Sequence, residues 1–151
     1  MSIGRLDKDS EGLLLLTTDG KVSYDICSSK VDKEYYVQVD GLITAEALSA
    51  MQTGVEIGFE GIKYMTKPCT AHILVPQPEF PPRIKKIRDD RHGPTCWVSI
   101  TIREGKYRQV RKMTAAVGFP TLRLFRVRIG KIELANLKAG EVREVETLDY
   151  L

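Results

Sequence analysis

Arg5, Asp7, Asp9 and Glu11 lie close together just ahead of four consecutive leucines, in GRLDKDSEGLLLLTTDG (residues 4–20). Leucines favour burial, whereas carboxylates need water or partners. If the leucines are core, Asp7 is held at the core's edge and needs a cation to stay ionised away from bulk water. On extended backbone, Arg5 and Asp7 point to the same face. Arg111, at the start of a helical pattern, offers a partner able to pair with Asp7 bidentately. This spacing leaves two readings open: a structural ion pair between sheet and helix, or a carboxylate at an active site. Asp9 and Glu11 could form a glycosidase-like couple with Asp7, but such couples usually come from different elements, and these three share one short turn. Asp9 and Glu11 are therefore expected to have turn and surface roles.

No GxSxG, HExxH, GxxxxGK[ST] or GxGxxG motif occurs, and there are only 2 histidines. Catalysis by this chain would rest on carboxylates, Tyr and Arg, with no metal or cofactor motif. Cys27, Cys69 and Cys96 are odd in number and far apart, which suits free thiols in a reducing cytosol better than a zinc site.

The elements that would position these groups are legible in outline. GLLLLTT reads as a short buried strand stopped at Asp19-Gly20. KVSYDICSS reads as helical turns with Asp19 as N-cap. KEYYVQVDG is a strand, TAEALSAMQTG a helix capped by Thr44 and stopped by Gly54, and CTAHILV a strand. Residues 76–95 hold a proline cluster and then a basic stretch, and read as a long exposed loop. CWVSITIRE alternates as a half-buried strand. KYRQVRKMTAAVG is the clearest helix, stopped by Gly118. TLRLFRVRIG alternates with a phase switch near Phe125 that suggests a bulge, and VREVETL reads as a final strand. The sum is an α+β fold in one domain, a mixed, largely antiparallel sheet with helices packed on it.

The 151 residues carry a net charge of only +3, but the basic residues crowd into 83–92, 103–112 and 123–131. A mild net charge with a basic second half suggests a polyanion-facing surface. No apolar run approaches the roughly 20 residues of a membrane helix, and the first residues lack a signal-peptide pattern. No membrane partner and a cytoplasmic location are expected.

Three stretches, in order, resemble the motifs of pseudouridine synthases of the RsuA/RluB/RluE type. GRLDKDSEGLLLLTTDG resembles the GRLD motif, KEYYVQVDG the K-x-Y-x-V strand, and EGKYRQVRKMTAAVGFPTLRLFRVRIG the motif EG-[KR]-x-[RH]-QVR-[KR]-M. LKAGEVREV is similar to the usual end of the catalytic domain. The resemblance implies isomerisation of uridine to pseudouridine in large-subunit ribosomal RNA, without metal or cofactor. It makes Asp7 the catalytic aspartate. Tyr35 becomes the pocket tyrosine that stacks on uracil and takes part in C5 deprotonation, and Arg111 the basic partner of the aspartate. Arg5 is implied to hold the flipped nucleotide's place or its phosphate, and Leu124 to form an apolar pocket wall. A uridine in folded RNA must be flipped out to be reached. Lys106, Arg108, Lys112, Arg123 and Arg126 are expected to bind backbone phosphates, with Arg83, Lys85, Lys86, Arg88 and Arg91 as a second grip.

Members of this family carry a segment ahead of GRLD, and often a small S4-type RNA-binding module. Here only Met1, Ser2 and Ile3 precede the motif. This resembles a catalytic domain truncated at its N-terminus, with no S4-type module. A sheet edge left open there is expected to favour self-association. An RNA-binding chain of the same family with impaired catalysis is the alternative reading.

Overall fold

The computed structural model describes residues 1–83 and 93–151. In chain order the elements are β1 (Glu11–Gly12), α1 (Gly20–Cys27), β2 (Lys33–Asp40), α2 (Ala45–Thr53), β3 (Glu56–Phe59), β4 (Ile62–Met65), β5 (Thr70–Ile73), β6 (Thr95–Ile102), α3 (Gln109–Ala116), β7 (Thr121–Ile129) and β8 (Ile132–Glu133). The main sheet runs β1-β7-β2-β6-β5, with β8 paired to β7, and β3 and β4 form a separate hairpin. Every ladder is antiparallel except β1 with β7, which is parallel. This is the α+β, largely antiparallel architecture the pattern predicts.

The sheet has an inner and an outer face. Val37, Val39, Val98, Ile100, Ala71 and Leu124 form the inner face and pack against Ala47 and Met51 of α2, Val110 and Met113 of α3, and Ile57 of the hairpin. On the outer face, Phe80 stacks on Phe125 with ring centres 3.7 Å apart and also meets Trp97 and Tyr36. Residues 76–83 are therefore tethered across the sheet instead of standing free. This cover also buries Trp97, and Ser99 is buried where its hydroxyl donates to Glu34 at 2.6 Å, so β6 is buried on both faces where a half-buried strand was expected. The expected loop of 76–95 ends sooner, because Thr95 already begins β6. Lys85, Lys86, Arg88 and Arg91 lie outside the described residues.

The helix caps follow the sequence. The Asp19 carboxylate accepts from the Lys21 and Val22 N–H groups, and Thr44 Oγ1 accepts from the Ala47 N–H. Gly118, with φ of 93°, closes α3 as the Phe119 N–H donates to the Thr114 carbonyl at 2.9 Å. The leucine run is corrected: Leu13 and Leu15 are buried, but Leu14 and Leu16 are exposed. Only Glu11–Gly12 joins the ladder, and Leu16 makes an isolated bridge to Ser2. VREVETL forms no strand. The β3–β4 hairpin was not expected. It turns through Glu60 and Gly61, with φ of 51° and 77°.

The bulge in β7 falls at Val127. Tyr35 pairs with Arg126 and Glu34 with Arg128, so one residue of β7 is unmatched. Strict alternation would place Arg126 and Arg128 on the same face. The extra residue instead leaves Arg126 inside with Leu124 and sends Arg128 outside, where its Nε donates to Glu34 at 3.1 Å.

A candidate active-site cleft

A cleft of about 320 Å³ opens on the inner face, between residues 3–10, the lower ends of β2 and β7, and the start of α3. Arg5, Asp7, Tyr35, Lys106, Arg108, Arg111, Leu124 and Arg126 all line it. The structure thus gathers eight of the ten residues singled out in the sequence. Lys112 and Arg123 are not among the lining residues. Arg123 lies on the outer face, bonded to Glu11 at 2.8 and 3.0 Å and to the Pro81 carbonyl.

The loop carrying Asp7 is pinned at both ends. Ahead of it, the Ile3 N–H donates to the Leu15 carbonyl at 2.8 Å, and the Met1 amine to the Thr17 carbonyl at 3.0 Å. Behind it, the Leu13 N–H donates to the Arg126 carbonyl at 2.8 Å. Within it, the Ser10 N–H donates to the Asp7 carbonyl at 2.9 Å, closing a turn. Gly12 makes the approach to β7 possible, because a Cβ there would lie 2.3 Å from the Arg126 carbonyl oxygen. Ile3, Leu13 and Leu15 bury the base of the loop with Ile26 and Ile129.

The cation that meets Asp7 is Arg108. Its Nη1 donates to Asp7 at 3.3 Å, and the same guanidinium grips Asp9 through two bonds of 3.0 and 2.9 Å. This corrects two expectations. Arg111 does not pair directly with Asp7; its Nη2 donates to the Asp9 carbonyl at 3.0 Å and to Ser10 Oγ at 2.9 Å, bracing the turn from below. Asp9 is not a bystander either. The hydrogen bond from Arg108 holds its carboxyl down at about 2, helped by Arg111 and opposed by burial. Arg108 is raised in turn, chiefly by the hydrogen bond to Asp9. Burial pulls the Arg111 guanidinium down, with Asp9 acting against it.

The cleft floor is cationic and partly unsatisfied. Arg126 is only 7% exposed, so it is not the surface phosphate ligand the sequence suggests. Its Nε donates to the Leu13 carbonyl at 2.9 Å, and its Nη2 has no hydrogen-bond partner among the described residues. Lys33, on the same inner face, is buried; desolvation pulls its amine down, and its Nζ donates to the Ser28 carbonyl at 3.2 Å. Sequence reasoning missed Lys33 as a lining residue. The strand's inward phase (Lys33, Tyr35, Val37) was the available signal. Tyr35 and Leu124 complete the wall with one ring and one apolar side chain. A carboxylate gripped by Arg108, an aromatic ring, an apolar side chain and buried nitrogen donors thus share one cleft.

A second carboxylate organises the start of α3. Glu104 accepts from Tyr64 Oη, from the Lys67 N–H at 2.7 Å and from Gln109 Nε2 at 2.9 Å. Burial raises its pKa, but those hydrogen bonds together outweigh it and hold the carboxyl below its usual value. This network ties the hairpin to the turn that carries Lys106 to Arg108.

Residues 1–116 match the family described as RNA pseudouridylate synthase. The chain is 43% identical over 145 residues to a ribosomal large subunit pseudouridine synthase E of Vibrio parahaemolyticus, covering 95% of this chain and 59% of that protein. It is 46% identical over 136 residues to the protein of the same name in Xanthomonas axonopodis pv. citri, covering 89% and 70%. A solved structure described as a pseudouridylate synthase superposes with a TM-score of 0.69 at 36% identity, over 88% of this chain and 50% of that one. The chain therefore spans little more than half the length of some of these relatives. Over the part it does span, the family match across residues 1–116, the identity to these relatives and the shared fold give one assignment: the chain belongs to the RNA pseudouridylate synthase family.

Proposed function

We propose that this chain isomerises a uridine of large-subunit ribosomal RNA to pseudouridine in the cytoplasm, with Asp7 as the catalytic carboxylate. The observation that carries the proposal is the shared cleft of Asp7, Tyr35 and Leu124, with the Arg108 guanidinium 3.3 Å from the Asp7 carboxylate. The names of the relatives support the choice of ribosomal RNA.

In the reaction, the C1′–N1 bond of uridine breaks and a C1′–C5 bond forms. The proton on C5 leaves to solvent and N1 gains one, so the atoms balance with no net oxidation. Asp7 assists departure of the base from C1′. Tyr35 stacks on the freed uracil and takes part in removing the C5 proton, while Leu124 closes the apolar side. Arg108 orients Asp7 directly. Arg111, one turn along the helix, keeps the loop beneath it from shifting. The buried cations Lys33 and Arg126 favour a base that becomes electron-rich as it detaches. The uridine reaches this cleft only when flipped out of its stack.

The test is tritium release from RNA labelled at uridine C5. The Asp7→Asn variant is expected to lose turnover while keeping its affinity for RNA. Turnover near the wild-type rate in Asp7→Asn would overturn the assignment of the aspartate. No release from the wild-type chain at high protein, with RNA binding intact, would select the catalytically impaired alternative.

A further inference from the structure

From the mouth of the cleft an alternating strip of cations and rings runs outward to the β3–β4 hairpin. The Arg5 guanidinium carbon lies 5.5 Å from the Tyr107 ring centre, and Lys112 Nζ 5.0 Å from the same centre. Lys112 Nζ is also 5.3 Å from the Phe59 ring centre, Phe59 and Tyr64 are 6.1 Å apart, and Lys106 Nζ is 5.0 Å from Tyr64. Tyr107 lines the cleft yet is 55% exposed, too open to be serving the core. Its position is set by the turn that holds it. The Gln109 N–H donates to the Lys106 carbonyl at 3.0 Å around it, and the next residue, Arg108, is left-handed with φ of 51° and anchored to Asp7 and Asp9.

The cations of the strip differ from the other arginines near the cleft. Arg108, Arg123 and Arg128 are each paired to a carboxylate. Among the described residues Arg5, Lys106 and Lys112 have rings as neighbours and no carboxylate within ion-pair distance. Positive charge left unneutralised beside the exposed Tyr107 ring and the half-buried Phe59 and Tyr64 rings matches single-stranded nucleic acid, whose bases stack on rings while its phosphates take the cations. A duplex keeps its base faces hidden and would leave Tyr107 without a partner.

We infer that Tyr107 is the stacking platform for an unpaired nucleotide adjoining the target uridine. Arg5 and Lys112 move from the ring onto the flanking phosphates as the base arrives, and Phe59 and Tyr64 extend the path. This rests on the RNA reading above, and assigns the site a class of substrate: a uridine in an unpaired segment.

The test is fluorescence anisotropy with a labelled oligouridylate of about twelve nucleotides, within the range a single-strand groove covers, and an RNA duplex of equal length. Single strand is expected to bind better than duplex. Tyr107→Ser is expected to weaken single-strand binding about five- to a hundredfold, and Tyr107→Phe to retain it. Tyr107→Ser leaves the log–log salt slope unchanged, whereas Lys112→Gln lowers it by about 0.7. The inference is overturned by equal or better binding of duplex, by an unchanged affinity in Tyr107→Ser, or by Tyr107→Phe binding as weakly as Tyr107→Ser. Equal capture of a polyglutamate peptide would assign the strip to an acidic protein and overturn it as well. Wild-type protein that binds through Tyr107 but releases no tritium leaves this inference standing and removes the proposed activity. Tritium release with Tyr107→Ser binding unchanged does the reverse.

Discussion

Gly12→Ala tests whether the contact between β1 and β7 is what sets Asp7. Gly12 has φ of 109°, and a Cβ there would meet the Arg126 oxygen at 2.3 Å, its nitrogen at 2.6 Å and its carbonyl carbon at 2.9 Å. An ordinary carbon–oxygen contact is about 3.3 Å, so β1 must retreat by about 1 Å. The backbone conformation costs about 1–3 kcal/mol for a residue with a side chain. Losing the bond from the Leu13 N–H to the Arg126 carbonyl removes about 1 kcal/mol more. The sum predicts about 2–4 kcal/mol of lost stability, read as a lower urea midpoint. A displacement near 1 Å also carries the Asp7 loop with it and is expected to slow tritium release about a hundredfold. Gly20→Ala is the control, because nothing lies within 4 Å of its Cβ position. That change is expected to stabilise by about 0.5 kcal/mol and leave turnover alone. If Gly12→Ala matched the control in both assays, the argument that this close approach positions Asp7 would be wrong.

Further outcomes follow from the cleft and from the Glu104 network beside it. Because Asp9 sits at about 2 in the folded chain against 3.8 ordinarily, its contribution to stability is present above pH 3.8 and lost as pH falls toward 2. With nearly half of its side chain exposed, Asp9→Asn is expected to cost only about 0.5–1 kcal/mol at pH 7, and urea melts should converge with wild type in acid. Glu104→Ala strands three donors and is expected to cost about 1–3 kcal/mol; since the folded carboxyl lies below its usual value, this gap too narrows as pH falls, which melts across pH would show. Arg108→Lys loses the two-pronged grip on Asp9 and is expected to lower kcat about tenfold with little change in melting, whereas Arg111→Lys, which disturbs a mostly buried group bracing Asp9 and Ser10, should register chiefly as lost stability.

The longer helices and strands were legible because their local signals agree with their burial. Asp19 and Thr44 cap where a cap is needed, Gly54 and Gly118 stop where a positive φ is needed, and β2 alternates because its inward residues meet the core. Three misses have physical reasons. β6 is covered on both faces by elements far away in sequence, so alternation could not report its burial. The β3–β4 turn uses Glu60 with Gly61, and Glu carries none of the turn preference of Asn or Asp. VREVETL has strand-like residues but meets no partner strand among the described residues.

Within the cleft, the motif residues were legible as a set, but their pairing was not. Arg108 lies just outside α3 in a left-handed conformation with no side-chain cap, so helical spacing says nothing about its direction. That single non-helical residue turns its guanidinium toward Asp7 and Asp9. The phase switch in β7 falls at Val127, after Arg126, so Arg126 stays in step with Leu124 in the cleft floor and only the residues beyond the bulge reverse.

The pinning of the Asp7 loop also has a consequence in time. Its anchors are Arg108, 101 residues from Asp7, and Arg126, whose Nε bonds a carbonyl 113 residues earlier. The aspartate therefore precedes its fixtures along the chain by more than 100 residues. Contacts of such long sequence separation form late, since loop closure must come first. Until those closures occur the aspartate stands without its cleft. Docking of β7 and of the turn before α3 is then itself the event that assembles the site.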